Sequence, residues 1–284
     1  MKLLPACLLL LAAPAGADVR YTSFHSPSLG REVSYAVDLP ASYDESDEAY
    51  PVLYALHGLF EEPSFWEERG LATLLREASA RGEAPEMLVV AVDGESSFFV
   101  NAPEAAYQDL VTRDLVAHVE ATYRVDARRE ARCLLGVSMG GYAALRIAFA
   151  TPRVFGAIAA HSAMLLTRIP TAEAGAGRWH MRAFHSAFGT PIDPERWSAA
   201  DPLTWAARAD PDGVPALYFD CGSQDRFGLH EGNAELHRLL EARGVPHEFA
   251  LLPGDHGYAY VRSVFPRSLR FLARALSGGS ASSP

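Results

Sequence analysis

The chain has 284 residues, 49% hydrophobic and 21% charged, a composition that fits a globular protein and excludes disorder, collagen and coiled coil. Thirty-five acidic against 25 basic residues give a formal charge of -10, which offers no electrostatic footprint for nucleic acid or anionic lipid. Lys2 is the sole lysine, so Schiff-base, Walker A and Ser-Lys chemistries have no residue to carry them.

Residues 1–17 read as a signal peptide. One charge, Lys2, precedes an apolar run through Leu8, Leu9, Leu10 and Leu11, and Ala15-Gly16-Ala17 supplies the small residues that cleavage requires. The mature chain is expected to begin near Asp18 and to be secreted or periplasmic. An integral membrane span would need about 20 apolar residues. This run is shorter and breaks at Pro14.

Residues 33–39 alternate like an antiparallel edge strand, whereas 52–56, 87–92, 133–135, 157–160, 216–219 and 249–252 are compact apolar runs that suit buried parallel strands. Between them, 65–80, 105–123, 140–150, 233–243 and 264–276 carry apolar residues at spacings of three and four, the period of a helix. This alternation predicts an α/β fold, a mostly parallel central sheet with helices on both faces, in a single domain over residues 18–276. Cys133 and Cys221 then stand two strand spacings apart, ~9.5 Å, too far to bridge, and read as core thiols.

Residues 163–213 break the pattern. They contain no convincing strand, hold Pro170, Pro191, Pro194, Pro202 and Pro211, and carry Trp179, Phe184, Phe188, Trp197 and Trp205. A connection of this length is expected to be a cover over the C-terminal edge of the sheet. Its aromatics either wall a binding pocket or pack the cover onto the sheet. The Gly/Ser-rich tail, 277–284, is expected to be disordered.

Gly136-Val137-Ser138-Met139-Gly140 is a G-x-S-x-G placed directly after one apolar run and directly before a helical pattern, the strand, sharp turn and helix of a nucleophile elbow. Ser138 would then sit at a helix N-terminus, where N–H groups and the dipole favour a developing anion. A serine hydroxyl needs a base. Among ten histidines, His256 lies just past the last predicted strand, in the glycine-flanked loop Pro253-Gly254-Asp255-His256-Gly257. His57 is read as a buried histidine that shapes its loop, and His161 does not follow an acid in the Ser, Asp, His order.

The acid should follow the preceding strand, and Asp225 fits, with Asp220 as its competitor; Asp255 is too close in sequence to His256 to reach the far ring nitrogen. Oxyanion donors are expected from the N–H of Met139, after the nucleophile, and of Leu59, in the loop Leu56-His57-Gly58-Leu59-Phe60. Glu61, Glu62, Glu67 and Glu68 read as a solvated acidic face rather than a cation site. C-x-x-C, H-E-x-x-H and strand-linked G-x-G-x-x-G motifs are absent from the sequence.

The stretches Pro51 to Gly58, Val92-Asp93-Gly94 with Ser97-Phe98-Phe99, Gly136 to Tyr142, Asp220 to Asp225 and Pro253 to Tyr260 together resemble the esterase D family of α/β-hydrolases. That family includes tributyrin-type and acetyl esterases, feruloyl esterases, S-formylglutathione hydrolase and mycolyltransferases, and the first of these look most similar. The resemblance implies an α/β-hydrolase fold with its cover between the sixth and seventh strands. It also implies a Ser138, Asp225, His256 triad, no metal or organic cofactor, and a small-molecule ester as substrate. Asp93-Gly94-Glu95 and His161-Ser162-Ala163 depart from the usual family pattern, so pocket shape does not carry over. The expected activity is that of a serine carboxylesterase on neutral short-acyl esters, with feruloyl or acetyl-polysaccharide ester hydrolysis, or acyl transfer by the same triad, as alternatives.

Overall fold

The structure, a computed structural model, describes residues 19–171 and 178–278. The expected signal peptide, residues 172–177 of the cover and the tail from 279 onward lie outside the described residues.

Eight strands build the central sheet: β1 (Arg20–Ser26), β2 (Arg31–Asp38), β3 (Val52–Leu56), β4 (Leu88–Val92), β5 (Arg132–Val137), β6 (Ala157–His161), β7 (Ala216–Gly222) and β8 (Glu248–Leu252). Their spatial order is β1-β2-β4-β3-β5-β6-β7-β8. The β1/β2 and β2/β4 pairs are antiparallel and all others parallel. Around the sheet run α1 (Leu71–Ala80), α2 (Leu115–Thr122), α3 (Met139–Ala150), α4 (Arg178–Phe188), α5 (Pro194–Ala200), α6 (Pro202–Ala206), α7 (Leu229–Arg243) and α8 (Tyr258–Leu276).

The central strands are apolar throughout because successive side chains point to opposite faces, and both faces are covered. Val52, Tyr54 and Leu56 of β3 join one core with α2, α3, α7 and the cover, while Leu53 and Ala55 join the other with α1 and α8. Among the described residues, no helix is long and apolar enough to cross a membrane. Cys133 on β5 and Cys221 on β7 are free, buried and separated by β6. Burial pushes the Cys133 thiol up to about 12 and also raises that of Cys221.

Several elements differ from the sequence expectation. β1 had no signal, because only Phe24 and Ser26 of its seven residues are buried. It pairs with β2 from Arg31 to Val37, so residues 33–39 are not an edge strand. The helix expected over 65–80 breaks at Gly70, whose φ of 77° ends the short turn Phe65–Glu68 before α1 begins. Of 105–123, Ala105–Ala106 pairs with Asn101–Ala102, and a π-helical stretch, Leu110–Asp114, precedes α2.

The cover, between the sixth and seventh strands, is helical. Two of its prolines start helices rather than break them. Asp193 caps α5 by accepting from the N–H groups of Glu195 and Arg196, Asp201 caps α6 by accepting from those of Leu203 and Thr204, and in each case proline follows the cap. Phe184, Phe188 and Trp197 are buried and pack with Phe98 and Tyr142, at ring distances of 5.0 Å for Phe98–Phe184 and 4.9 Å for Phe188–Trp197. These aromatics fasten the cover to α3 and to the loop after β4, and the Trp205 indole donates to the Ala199 carbonyl. The side chain of Trp179 lies outside the described residues.

Three histidines make the fold sensitive to acid. Burial is the main cause that lowers His57, His118 and His247 from the ordinary value of 6.5. Between their lowered folded values and 6.5 the unfolded chain binds more protons, so their contribution is complete above 6.5 and is lost as pH falls through that window. Thermal melts from about pH 7.5 to about pH 5 should therefore show Tm dropping, at about 2–4 °C for each kcal/mol lost. A flat or rising Tm across that range would overturn the assignment.

Candidate active site

The elbow forms because two glycines let three backbone segments meet. A Cβ on Gly136 would stand 2.0 Å from the Gly140 carbonyl oxygen, and one on Gly140 would stand 2.1 Å from that of Leu56. Ser138 itself adopts φ 55° and ψ -110°, a strained conformation for a residue with a side chain. It is held there by its N–H, which donates to the His161 carbonyl at 2.9 Å, and by its carbonyl, which accepts from Met164 at 3.0 Å and Tyr142 at 2.9 Å.

The three residues expected from strand ends converge. His256 Nε2 lies 3.1 Å from Ser138 Oγ, and His256 Nδ1 lies 2.8 Å from Asp225 Oδ2. A carboxylate only accepts, so Nδ1 carries the proton and Nε2 is left free to take one from the serine. Asp225 also accepts from the Phe227 N–H at 2.9 Å through Oδ1. Burial alone would raise its carboxyl, but the hydrogen bond and charge of His256, with the N–H groups of Phe227 and Leu229, outweigh burial and hold it below the ordinary aspartate value. The acid and base loops are laced together: Gln224 N–H donates to the Gly254 carbonyl, Gly254 N–H donates to Gln224 Oε1, and Arg226 pairs with Asp255. Asp255 is turned to Arg226 and to the His256 backbone N–H, away from the imidazole.

Asp220 lies elsewhere. It is fully buried in β7 and accepts from Tyr218 at 2.7 Å, Tyr260 at 2.9 Å and His161 Nδ1 at 2.9 Å. His161 Nε2 in turn lies 3.1 Å from Ser268 Oγ. This is a second Ser, His, Asp chain, but Ser268, His161 and Asp220 all have zero exposure, so no substrate reaches it.

The loop after β3 is fixed by His57. Gly94 donates its N–H to His57 Nε2 at 3.0 Å, which leaves the proton on Nδ1 to donate to the Gly58 carbonyl at 2.7 Å. Because a peptide is planar and trans, fixing the Gly58 carbonyl also fixes the opposite direction of the Leu59 N–H. His57 therefore shapes the loop, as its sequence position suggested. Met139 is the first residue of α3, where N–H groups have no intrahelical acceptor.

The model of the Esterase family matches residues 26–272. The chain belongs to the Esterase family. It is 26% identical over 267 residues to Esterase Rv1288 of Mycobacterium tuberculosis, covering 83% of this chain and 55% of that protein, so it spans about half the length of that relative. It is also 27% identical over 271 residues to the S-formylglutathione hydrolase of Paracoccus denitrificans, covering 88% of this chain and 91% of that one. Among solved structures, a ferulic acid esterase superposes with a TM-score of 0.77 at 26% identity, covering 91% of this chain and 98% of the other. The Staphylococcus aureus fluorophosphonate-binding serine hydrolase FphF shares the fold at a TM-score of 0.74 and 22% identity, covering 90% of this chain and 98% of the other. The fold is that of the α/β-hydrolases, as the sequence resemblance implied.

In this member of the Esterase family, Ser138 and His256 open on a cavity of about 340 Å³, also lined by Leu59, Phe60, Met164, Phe227 and Val261. The cover supplies Met164 to it, and none of the described cover tryptophans or phenylalanines. Two lining residues missed by the sequence reading are exposed aromatics, Phe60 at 57% and Phe227 at 47%, the latter edge-on to His256 at 4.9 Å. A signal was available: each stands beside an assigned residue, Phe60 after Leu59 and Phe227 two after Asp225. Glu61 corrects another expectation. Its side chain is only 15% exposed and bonds Gly58, Arg69 and Tyr258, so it is no part of a solvated acidic face.

Proposed function

We propose that the protein is an exported serine carboxylesterase that hydrolyses neutral short-acyl esters through an acyl-enzyme. The observation that carries this reading is the Asp225, His256, Ser138 relay opening on the cavity at the N-terminus of α3. Ser138 Oγ attacks the ester carbonyl while His256 Nε2 takes its proton and then gives it to the departing alcohol. Asp225 holds the imidazole in the tautomer that accepts at Nε2 and stabilises the imidazolium. The Leu59 and Met139 N–H groups receive the oxyanion, and water, deprotonated by the same imidazole, releases the acid.

The cavity size favours small acyl groups. A series of p-nitrophenyl esters should give the highest kcat/KM at about two to six carbons, each methylene adding at most ~1 kcal/mol until the pocket fills. A maximum at about ten carbons or beyond would refute the short-acyl assignment. Release of feruloyl esters is a second reading, favoured by the exposed aromatic rim and by likeness to a ferulic acid esterase. A clear preference for feruloyl over acetyl and butyryl esters in the same panel would put that reading first.

Export rests on residues 1–17. Mass spectrometry of the protein from the periplasm or medium should find a mature N-terminus near Asp18; a full-length chain confined to the cytoplasm would overturn it.

A further inference from the structure

The Glu61 carboxylate makes three hydrogen bonds and an ion pair that join the two halves of the site. Oε2 accepts from the Gly58 N–H at 3.0 Å and from the Tyr258 hydroxyl at 2.6 Å, and Oε1 accepts from Arg69 Nε at 3.1 Å and pairs with Arg69 Nη2 at 3.0 Å. Gly58 opens a turn closed by the Glu61 N–H, which donates to the Gly58 carbonyl at 3.3 Å. The third residue of that turn, Phe60, has φ 65°, a left-handed conformation that costs a residue with a Cβ about 1–2 kcal/mol. The Glu61 carboxylate holds the Gly58 N–H and the His57 imidazole holds the Gly58 carbonyl, so Gly58 is gripped at both ends just before the Leu59 N–H. Tyr258, the other donor to Oε2, follows His256 by two residues and is half-buried.

Resting on the esterase reading above, we infer that Glu61 is a positioning residue: it holds the Gly58–Glu61 turn so that the Leu59 N–H points at the developing oxyanion, and ties that turn through Tyr258 to the segment carrying His256. Arg69 balances the carboxylate charge beside a site where negative charge develops. Glu61 and Tyr258 both line the cavity, and the effect on the transition state runs through the backbone of the turn.

The test compares Glu61→Leu, Glu61→Gln and Tyr258→Phe with the wild type, using p-nitrophenyl acetate turnover normalised to sites titrated with a fluorophosphonate, and inhibition by an alkyl trifluoromethyl ketone, which binds as a tetrahedral oxyanion. Losing an oxyanion donor costs about 10²–10³ in kcat, so misdirecting one should cost about tenfold or more. Glu61→Leu is expected to lose that factor in kcat per active site with KM within about twofold, and to bind the ketone more weakly by a similar factor. Glu61→Gln, which keeps an acceptor oxygen for Gly58, should recover most of the loss. A residue serving only stability would reduce the number of titrated sites or the Tm and leave both per-site quantities unchanged, and that result would overturn the inference. If Glu61→Leu does not fold, Tyr258→Phe decides: a several-fold fall in kcat at constant KM supports the inference, and wild-type kcat overturns it. A wild-type protein that the fluorophosphonate does not label overturns the esterase reading itself, and this inference with it.

Discussion

Ser138→Ala and His256→Ala are each expected to lower kcat by on the order of 10⁴ or more, with the fold retained. The expectation follows from the geometry at Ser138 Oγ. Among the described residues its proton has one basic acceptor in reach, His256 Nε2 at 3.1 Å, and the hydroxyl takes no part in either apolar core. The elbow is held by backbone bonds from Ser138 to His161, Tyr142 and Met164, all of which alanine keeps. Circular dichroism and Tm should thus be close to wild type while turnover is lost. Since the serine and histidine act as one unit, the double variant should be hardly worse than either single one. A folded Ser138→Ala protein with near-normal turnover of p-nitrophenyl acetate would refute the nucleophile assignment.

What the sequence made legible was what periodicity and chain order encode. Buried parallel strands are apolar on both faces, so β3 to β7 stand out, and functional groups gather at the carboxyl ends of such strands, which places Ser138, Asp225 and His256 in three separate loops. β1 was invisible because an outer strand with two buried residues has no reason to be apolar. The cover helices were hidden by prolines that look like breakers until the aspartate before each is recognised as a cap. Glu61 was misread for a further reason: sequence records that a carboxylate follows a turn but not which way it points, and here it points inward to Gly58 and Tyr258. The same ambiguity of direction left Asp220 and Asp225, five residues apart, in competition.

Asp225→Asn and Asp220→Asn should separate cleanly, one in rate and the other in stability. An asparagine at 225 keeps an oxygen for the Phe227 N–H, but it puts an NH₂ donor where the second carboxylate oxygen accepts from His256, so the imidazole loses the partner that keeps the proton on Nδ1. With the tautomer reversed, Nε2 carries a hydrogen and cannot take one from Ser138, and kcat should fall by about 10⁴. At 220 the carboxylate lies outside the relay and accepts from Tyr218, Tyr260 and His161 where no water reaches. Asparagine there turns an NH₂ group toward donors and leaves buried polar atoms unmatched, a cost of about 3–5 kcal/mol for breaking a buried pair. Tm should drop by roughly 6–20 °C, with kcat per titrated site much closer to wild type than in Asp225→Asn. The two carboxylates thus divide between chemistry and scaffold although both face a histidine. If Asp220→Asn instead abolished turnover in a stable protein while Asp225→Asn remained active, the acid of the relay would be Asp220.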